Sequence, residues 1–312
     1  MPELPEVESV RRGLADLVTG RRVVGVAVHH PRLLRDQPGG EGELAARLTG
    51  RLLSHPRRRG KFLWWPLTGS AAPATAAEAL VVHLGMSGQV RITDAAEVRH
   101  PHTRVVLDLD DGRQVRMVDQ RMFGRLRVDE LVADPVAPGG AVPAHARHIA
   151  ADPLEPGFDA RALIRRLGTR RTTVKRALLD QTLVSGIGNI YADESLWRAR
   201  IHGERPTLGL PVATGRRLIA HVTAVLTEAV AAGGTSFDAL YVDVNGASGG
   251  HGESLAVYGR AGRACPRCGT AVARAAFANR SSFWCPRCQR PPRSASAAPG
   301  AVLRVVGRVG GG

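Results

Sequence analysis

Every cysteine of the chain falls in one stretch, CPRCGTAVARAAFANRSSFWCPRC, at Cys265, Cys268, Cys285 and Cys288. The pattern C-x2-C-x16-C-x2-C sets two close couples across a spacer of hairpin length, which places four thiolates around one tetrahedral zinc. Few sequence features restrict a fold so tightly, because the residues between the couples must turn back on themselves. Disulfides or a redox C-x-x-C are the alternative, and a chain that reads as cytoplasmic with no other cysteine argues against both. With four sulfur ligands and no open position, the zinc is expected to be one structural ion. Arg267, Arg274, Arg280 and Arg287 lie on this element, so it suggests a clip against phosphates. Zinc ribbons also bind proteins, and it is the charge of the chain that favours DNA.

Lys and Arg number 43 against 28 Asp and Glu, a net charge of +15 that favours a polyanionic partner, nucleic acid first. An idle basic surface has the same composition. Only Lys61 and Lys175 are lysines, so with the N-terminus the chain offers three amines. A length of 312 residues, 44% of them hydrophobic, leaves room for two domains with their own cores. No run of about 18 apolar residues appears, and the acidic, proline-broken start lacks the pattern of a signal peptide. No membrane partner is expected, and the chain reads as cytoplasmic.

Val7, Val10, Leu14 and Leu17 recur at helical spacing before Gly20, which predicts a helix from about Pro5 to Thr19. RVVGVAV, KFLWWPL, ALVVHL, TRVVLDLD and RQVRMV follow as strand-like runs, with Asp111-Gly112 as a hairpin turn between the last two. The first part therefore reads as a helix with an antiparallel sandwich, and TGSAAPATAAEA as a loop between strands. Proline, glycine and alanine become dense from Asp134 to Phe158, as in an interdomain connection. DARALIRRL, TVKRALLD, NIYADESLWRA and GRRLIAHVTAVLTEAV then carry apolar residues three and four apart. The expected division is 1–135 sandwich, 136–158 linker, 159–259 helical domain, 260–290 zinc hairpin and 291–312 disordered basic tail.

Two local features bear on chemistry. In LLDQTLVSGIGNIYADESLW, two glycines and Asn189 precede a helix, an arrangement that offers backbone amides to a phosphate and serves equally as a plain helix cap. At the start, MPELPEVESV, the residues Pro5, Glu6 and Glu8 suit a first helical turn, whereas Pro2 and Glu3 lie outside it without a structural purpose.

PELPEVE, HLGMSG, DQRMFG, LLDQ with SGIGNIYADE, and VYGR ahead of the cysteines occur in this order. Together they resemble the formamidopyrimidine-DNA glycosylase family, bacterial enzymes that remove oxidised purines, over nearly the whole chain from Pro2 to about Gln289. The resemblance implies an α+β multidomain fold: an N-terminal antiparallel β-sandwich with its helix, then a helix-two-turns-helix domain and a zinc hairpin. It implies that Met1 is removed and that the Pro2 amine is the nucleophile, whose iminium is an electron sink for strand-cleaving eliminations. Glu3 matches the acid that protonates the opening sugar ring, a role needing a desolvated carboxyl. Glu6 matches a glutamate that orients the lesion. Lys61 matches a lysine that holds a phosphate beside the lesion, and Lys175 one at a helix start in the second domain. Asn189 and Arg280 match residues that grip the backbone around the damaged nucleotide. Met86, beside His83 in HLGMSG, matches with Arg121 and Phe123 the residues that fill the hole left by extrusion. The implied partner is damaged double-stranded DNA, bound by a monomer in the bacterial cytoplasm and acting at the nucleoid.

One departure stands out. The family's lesion-capping loop usually carries Gly-Tyr-Phe ahead of the segment leading to VYGR, and SGGHGESLAVYGR has Gly250 and His251 where the rings are expected. The consequence expected is a more mobile loop and an altered lesion preference. Leu4 in PELPE favours the purine branch over an endonuclease VIII type enzyme for oxidised pyrimidines. Intact Pro2, Glu3 and Lys61 argue against a noncatalytic zinc-ribbon DNA-binding protein.

Overall fold

The computed structural model describes residues 2–69, 77–235 and 254–292. Helix α1 (Leu4–Val18) opens the chain, and its apolar stripe of Val7, Val10, Leu14 and Val18 is buried. Along the chain follow β1 (Val23–Val28), α2 (Gly40–Leu48), β2 (Leu52–Leu53), β3 (Arg57–Arg59), β4 (Phe62–Thr68), β5 (Glu78–His83) and β6 (Gln89–Asp94). Next come β7 (Thr103–Leu109), β8 (Arg113–Val118), β9 (Arg125–Ala133) and the short β10 (Ala141–Pro143).

These strands form two antiparallel sheets. One runs β1-β7-β8-β6, and the other β10-β9-β5-β4-β2 with β3 also paired to β4. Asp111-Gly112 turns β7 into β8, as its sequence signals. Val105, Leu107, Val115 and Met117 of the first sheet meet Leu63, Trp65, Leu80 and Val128 of the second in one core, with the α1 stripe packed into it. Burying these faces is the main force closing the sandwich.

Strand β4 is apolar on both faces, and each face has a separate use. Trp65 points into the sandwich, while Trp64 joins Ala79, Val81, Val142, Ala146 and Ile149 in a second, outer core. The stretch 136–158, expected as a linker, therefore does more than connect: β10 extends the sheet and residues 141–149 cover its outer face. Strands β6 and β9 escape the pattern because polar residues alternate through QVRITD and RLRVDELVA, and glycines mask the start of α2.

The second half packs α3 (Ala160–Thr169), α4 (Val174–Leu179), α5 (Asn189–Ala199) and α6 (Val212–Ala231) around Leu167, Leu178, Tyr191, Leu196, Leu218 and Val222. Strands β11 (Ala273–Phe277) and β12 (Arg280–Trp284) form the hairpin between the cysteine couples. No helix among the described residues is long and apolar enough to cross a membrane. Met1, the capping-loop positions Gly250 and His251, and the tail from 293 onward lie outside the described residues.

Candidate functional site

The N-terminus of α1 is threaded into the N-terminus of α5. Leu4 is fully buried in the helical core, and its amide donates to the Gly186 carbonyl at 3.0 Å. Glu3, only 2% exposed, accepts hydrogen bonds from the amides of Gly188 at 2.7 Å, Ile190 at 2.9 Å and Tyr191 at 3.3 Å. The amides that a glycine turn could offer to a phosphate are thus taken by a carboxylate from the other half of the chain. Gly188 has to be glycine here, since a Cβ would collide with the Glu3 carboxyl.

Burial pushes the Glu3 carboxyl above its ordinary pKa; Lys61 opposes this, Glu6 reinforces it, and the Ile190 and Tyr191 amides oppose it. A desolvated carboxyl with a raised pKa is the condition a general acid requires. Glu6 closes the same network. One oxygen takes the Glu3 amide at 2.8 Å, and the other takes the Tyr191 hydroxyl at 2.6 Å together with the amide and hydroxyl of Thr235 at 2.8 and 3.0 Å. Lys61 donates to the Ile187 carbonyl at 3.1 Å, and burial lowers its pKa while Glu3 raises it. Pro2 is buried directly before Glu3. Pro2, Glu3, Glu6 and Lys61, distant in sequence from the 186–191 turn, are gathered around it.

Arginines 58 and 59, which precede Lys61, serve the fold. Arg58 pairs with Glu8 at 3.0 Å and Asp152 at 2.7 Å, and Arg59 with Asp134 at 2.7 Å and Glu155 at 3.0 Å. Together they anchor the Gly60–Lys61 turn against the following segment. Glu8, expected only as a helix-start charge, is held down at about 2 against its burial by Arg11 and Arg58.

A second cluster is made by two loops of the sandwich. Buried Asp119 accepts from the Ser87 hydroxyl at 2.6 Å, the Arg121 amide at 3.2 Å and the Gly124 amide at 2.7 Å, tying HLGMSG to DQRMFG. Gly85 has a φ of +64°, and a Cβ there would strike the Phe123 backbone. On this support Phe123 is 43% exposed, with the Arg121 guanidinium 5.4 Å from its ring centre, and Met86 is half-buried. His83 packs on Phe62 and accepts from the Gly85 amide through Nδ1, which assigns its proton to Nε2. Burial, then the charge of Lys61, brings its pKa down to about 4, so it is neutral at pH 7.

Helix α5 also docks the zinc hairpin. Asn189 donates to the Ser281 carbonyl at 2.8 Å, and Asp193 accepts from the Phe283 amide at 2.9 Å and the Ser282 hydroxyl at 3.2 Å. Glu194 takes three successive amides, Ala256, Val257 and Tyr258, at 2.8 to 2.9 Å, which fixes the VYGR segment. Sequence reasoning assigns no role to these two acids of YADE. Their position one turn beyond a glycine cap was the available signal. The four cysteine sulfurs lie within 4.8 Å of one another, with Cys268 3.4 Å from Cys285 and 3.5 Å from Cys288. These separations exceed a disulfide bond of about 2.05 Å and approach the ~3.8 Å edge of a tetrahedron with 2.3 Å Zn–S bonds. Trp197 donates its indole N–H to Cys265 sulfur at 3.3 Å, as expected beside a thiolate. The residues fit one structural zinc, held by Cys265, Cys268, Cys285 and Cys288. Arg280 is exposed at the start of β12.

Lys175, matched by resemblance to a DNA-binding position, is fully buried, its ammonium 2.6 Å from Asp193 and 4.5 Å from the centre of the Phe277 ring. Burial draws both partners towards neutrality, Lys175 downward and Asp193 up to about 6, and each holds the other charged. The pair pins α4 and α5 beneath the hairpin. Lys175→Ala leaves the carboxylate buried and unpaired, so a loss of about 3–5 kcal/mol is expected in a denaturant melt. An unchanged melt with weakened, less salt-sensitive DNA binding would point to the DNA-binding role.

Comparison with known proteins agrees with this architecture. Residues 1–126 match the formamidopyrimidine-DNA glycosylase N-terminal domain, 149–240 the formamidopyrimidine-DNA glycosylase H2TH domain, and 262–291 the zinc finger found in FPG and IleRS. The formamidopyrimidine-DNA glycosylase of Salinispora arenicola is 53% identical over 301 residues, covering 96% of this chain and 100% of the relative. That of Nocardia farcinica is 52% identical over 295 residues, covering 94% and 99%. Lactococcus lactis Fpg in complex with an abasic site containing DNA is similar with a TM-score of 0.78 at 29% identity, over 93% of this chain and 100% of that one. The wild-type Lactococcus protein with an N7-benzyl-Fapy-dG containing DNA gives 0.79 at 30% identity over the same shares. On sequence, fold and the arrangement around the 186–191 turn, the chain belongs to the formamidopyrimidine-DNA glycosylase family.

Proposed function

We propose that this protein is a bifunctional DNA glycosylase and abasic-site lyase that removes oxidised purines, 8-oxoguanine and formamidopyrimidines, from duplex DNA. The observation that carries the reading is the buried Glu3 carboxyl, seated on the α5 amides beside Lys61 and directly following Pro2. The relatives are named formamidopyrimidine-DNA glycosylase, and the Lactococcus complexes hold DNA with an abasic site or Fapy-dG.

With Met1 removed, the secondary amine of Pro2 attacks the anomeric carbon of the damaged nucleoside. The glycosidic bond breaks and its electron pair leaves with the base, which takes up the proton that the attacking amine gives up. Glu3, whose protonated form is favoured by its burial, gives its proton to the ring oxygen as the sugar opens, and the nitrogen lone pair forms the C=N bond of a cationic iminium. The iminium acidifies the neighbouring carbon, and elimination expels the 3′ phosphate. Lys61 supplies positive charge for a phosphate beside the lesion, and Arg280 and Asn189 flank the backbone on the hairpin side. Met86, Arg121 and Phe123 enter the space vacated by the extruded nucleotide, offsetting a cost of a few kcal/mol in lost stacking. A net charge of +15 supports association with duplex DNA, and we infer that the protein works as a monomer in the cytoplasm, at the nucleoid.

Borohydride reduction during reaction with an abasic or 8-oxoguanine duplex tests this directly. Lys61 and Lys175 are the only lysines, so mass mapping is unambiguous. The expected adduct lies at residue 2 of a chain lacking Met1. An adduct at Lys61, or tight binding with no adduct, overturns the assignment.

A further inference from the structure

The loop that carries Arg121 and Phe123 is gripped on its outer side by an arginine the mechanism leaves unused. Arg35 follows the short 3-10 turn Pro31–Leu34. Its guanidinium donates to three successive carbonyls of that loop, Met122 at 3.3 Å, Phe123 at 2.9 Å and Gly124 at 3.0 Å. A fourth bond to the Arg32 carbonyl at 3.0 Å fixes the guanidinium to its own turn. The same two segments are joined again by Arg125 and Asp36 at 2.6 Å.

Two opposed grips therefore hold one short loop. On the buried side, Asp119 takes the amides of Arg121 and Gly124; on the exposed side, Arg35 takes the carbonyls between them. The loop needs such support, because Met122 sits at a φ of +56°, a left-handed conformation that costs a non-glycine residue on the order of 1 kcal/mol. The planar fork of arginine, with five donors, can span consecutive carbonyls in a way that the single ammonium of lysine cannot.

We propose that Arg35 is a positioning residue that sets how strictly the protein discriminates the base opposite the lesion. The proposal rests on the reading of Arg121 and Phe123 as the groups that fill the vacated space. Arg121 can distinguish one orphaned base from another only if its guanidinium reaches a hydrogen-bonding edge in a fixed register. Its backbone is held within the loop that Arg35 closes.

The test compares R35A, R35K and R121A with the unmodified protein on duplexes carrying 8-oxoguanine opposite cytosine or opposite adenine. Single-turnover excision rates are measured along with the salt dependence of binding and the melting temperature. Both Arg35 variants are expected to slow excision opposite cytosine on the order of tenfold. Both should also move the cytosine-to-adenine rate ratio towards that of R121A, with the salt slope of binding unchanged. The lysine variant matters most, since it keeps the charge and loses the fork. If R35K behaves like the unmodified protein, or if both rates fall equally while the salt slope becomes shallower, Arg35 binds a phosphate and the proposal is overturned. A fall in both rates that only follows the melting temperature, at a constant ratio, overturns it as well. Absence of excision and of imine trapping in the unmodified protein would instead sink the glycosylase reading on which the proposal rests.

Discussion

Glu3→Gln is expected to lower release of an oxidised purine by roughly 10²- to 10⁴-fold, the range that a positioned general acid contributes. The substitution keeps one acceptor oxygen, enough for the Gly188 and Tyr191 amides that share one carboxyl oxygen, while the Ile190 amide on the other loses its acceptor and the transferable proton is lost. Base release should suffer more than imine formation on an abasic duplex, where no base has to be expelled. The pH profile gives a sharper readout. Burial raises the Glu3 pKa above its ordinary value, so the carboxyl is protonated in the folded protein over a range where a free glutamate is ionised. Acid function is present below the folded pKa and is lost as pH rises through it. The native protein should thus show an alkaline limb in single-turnover excision, and the glutamine variant should lack it. The same shift means that the folded state binds this proton more tightly than the unfolded chain. The stability it contributes is present at low pH and declines as pH rises through the folded pKa, a slope that the variant should also lose. A variant that excises at the native rate with the alkaline limb intact would remove Glu3 from the role of acid.

Removal of zinc is expected to abolish tight binding of duplex DNA while leaving the sandwich folded. Among the described residues the hairpin's core is small, with Val257, Cys265, Val272 and Cys285 buried and the other two cysteines, Trp197 and Phe283 packed against them, too little apolar surface to hold it without metal. Apparent zinc-binding energies of about 10–16 kcal/mol in zinc-finger peptides are folding energies of this kind. Once the hairpin opens, the bonds from Asn189 to Ser281 and from Asp193 to Phe283 are broken, and the Lys175–Asp193 pair is exposed to water. Arg280 leaves the site with β12. Affinity should fall on the order of 10- to 100-fold. The slope of log affinity against log salt should become shallower by about 0.9 for each phosphate that the protein no longer neutralises. The sandwich core shares no residue with the hairpin core, so strand signals in circular dichroism should persist after chelation. Unaltered affinity in protein shown to be metal-free would exclude the hairpin from DNA binding.

The parts of this molecule that were legible from the amino-acid order share one property: the signal lies within a few residues. Cysteine spacing announces the hairpin and its metal, the helical spacing of Val7, Val10, Leu14 and Leu17 announces α1, although Val18 rather than Leu17 completes its buried stripe, and Asp111-Gly112 announces the turn between β7 and β8. Motif resemblance adds the site residues, but only as a set of positions. Strands β6 and β9 were less visible because polar residues alternate through them and leave no continuous run of Val and Leu, and the covering role of 141–149 was hidden because it depends on the outer face of a sheet built from other segments.

Which cations are locked into pairs that pin the fold was decided by tertiary structure. Lys61 and Lys175 are the same side chain, and Arg58 and Arg59 form one run with Lys61, yet Arg58, Arg59 and Lys175 are buried against carboxylates far away in sequence. The reason is physical: whether a charge is free or paired depends on the dielectric around it and on partners that folding brings within about 3–4 Å. Glu3 shows the same dependence. Local order leaves it outside the first helical turn without a structural purpose, and it becomes a carboxyl with a raised pKa only when the chain lays it, desolvated, on the N-terminus of α5, 185 residues further along.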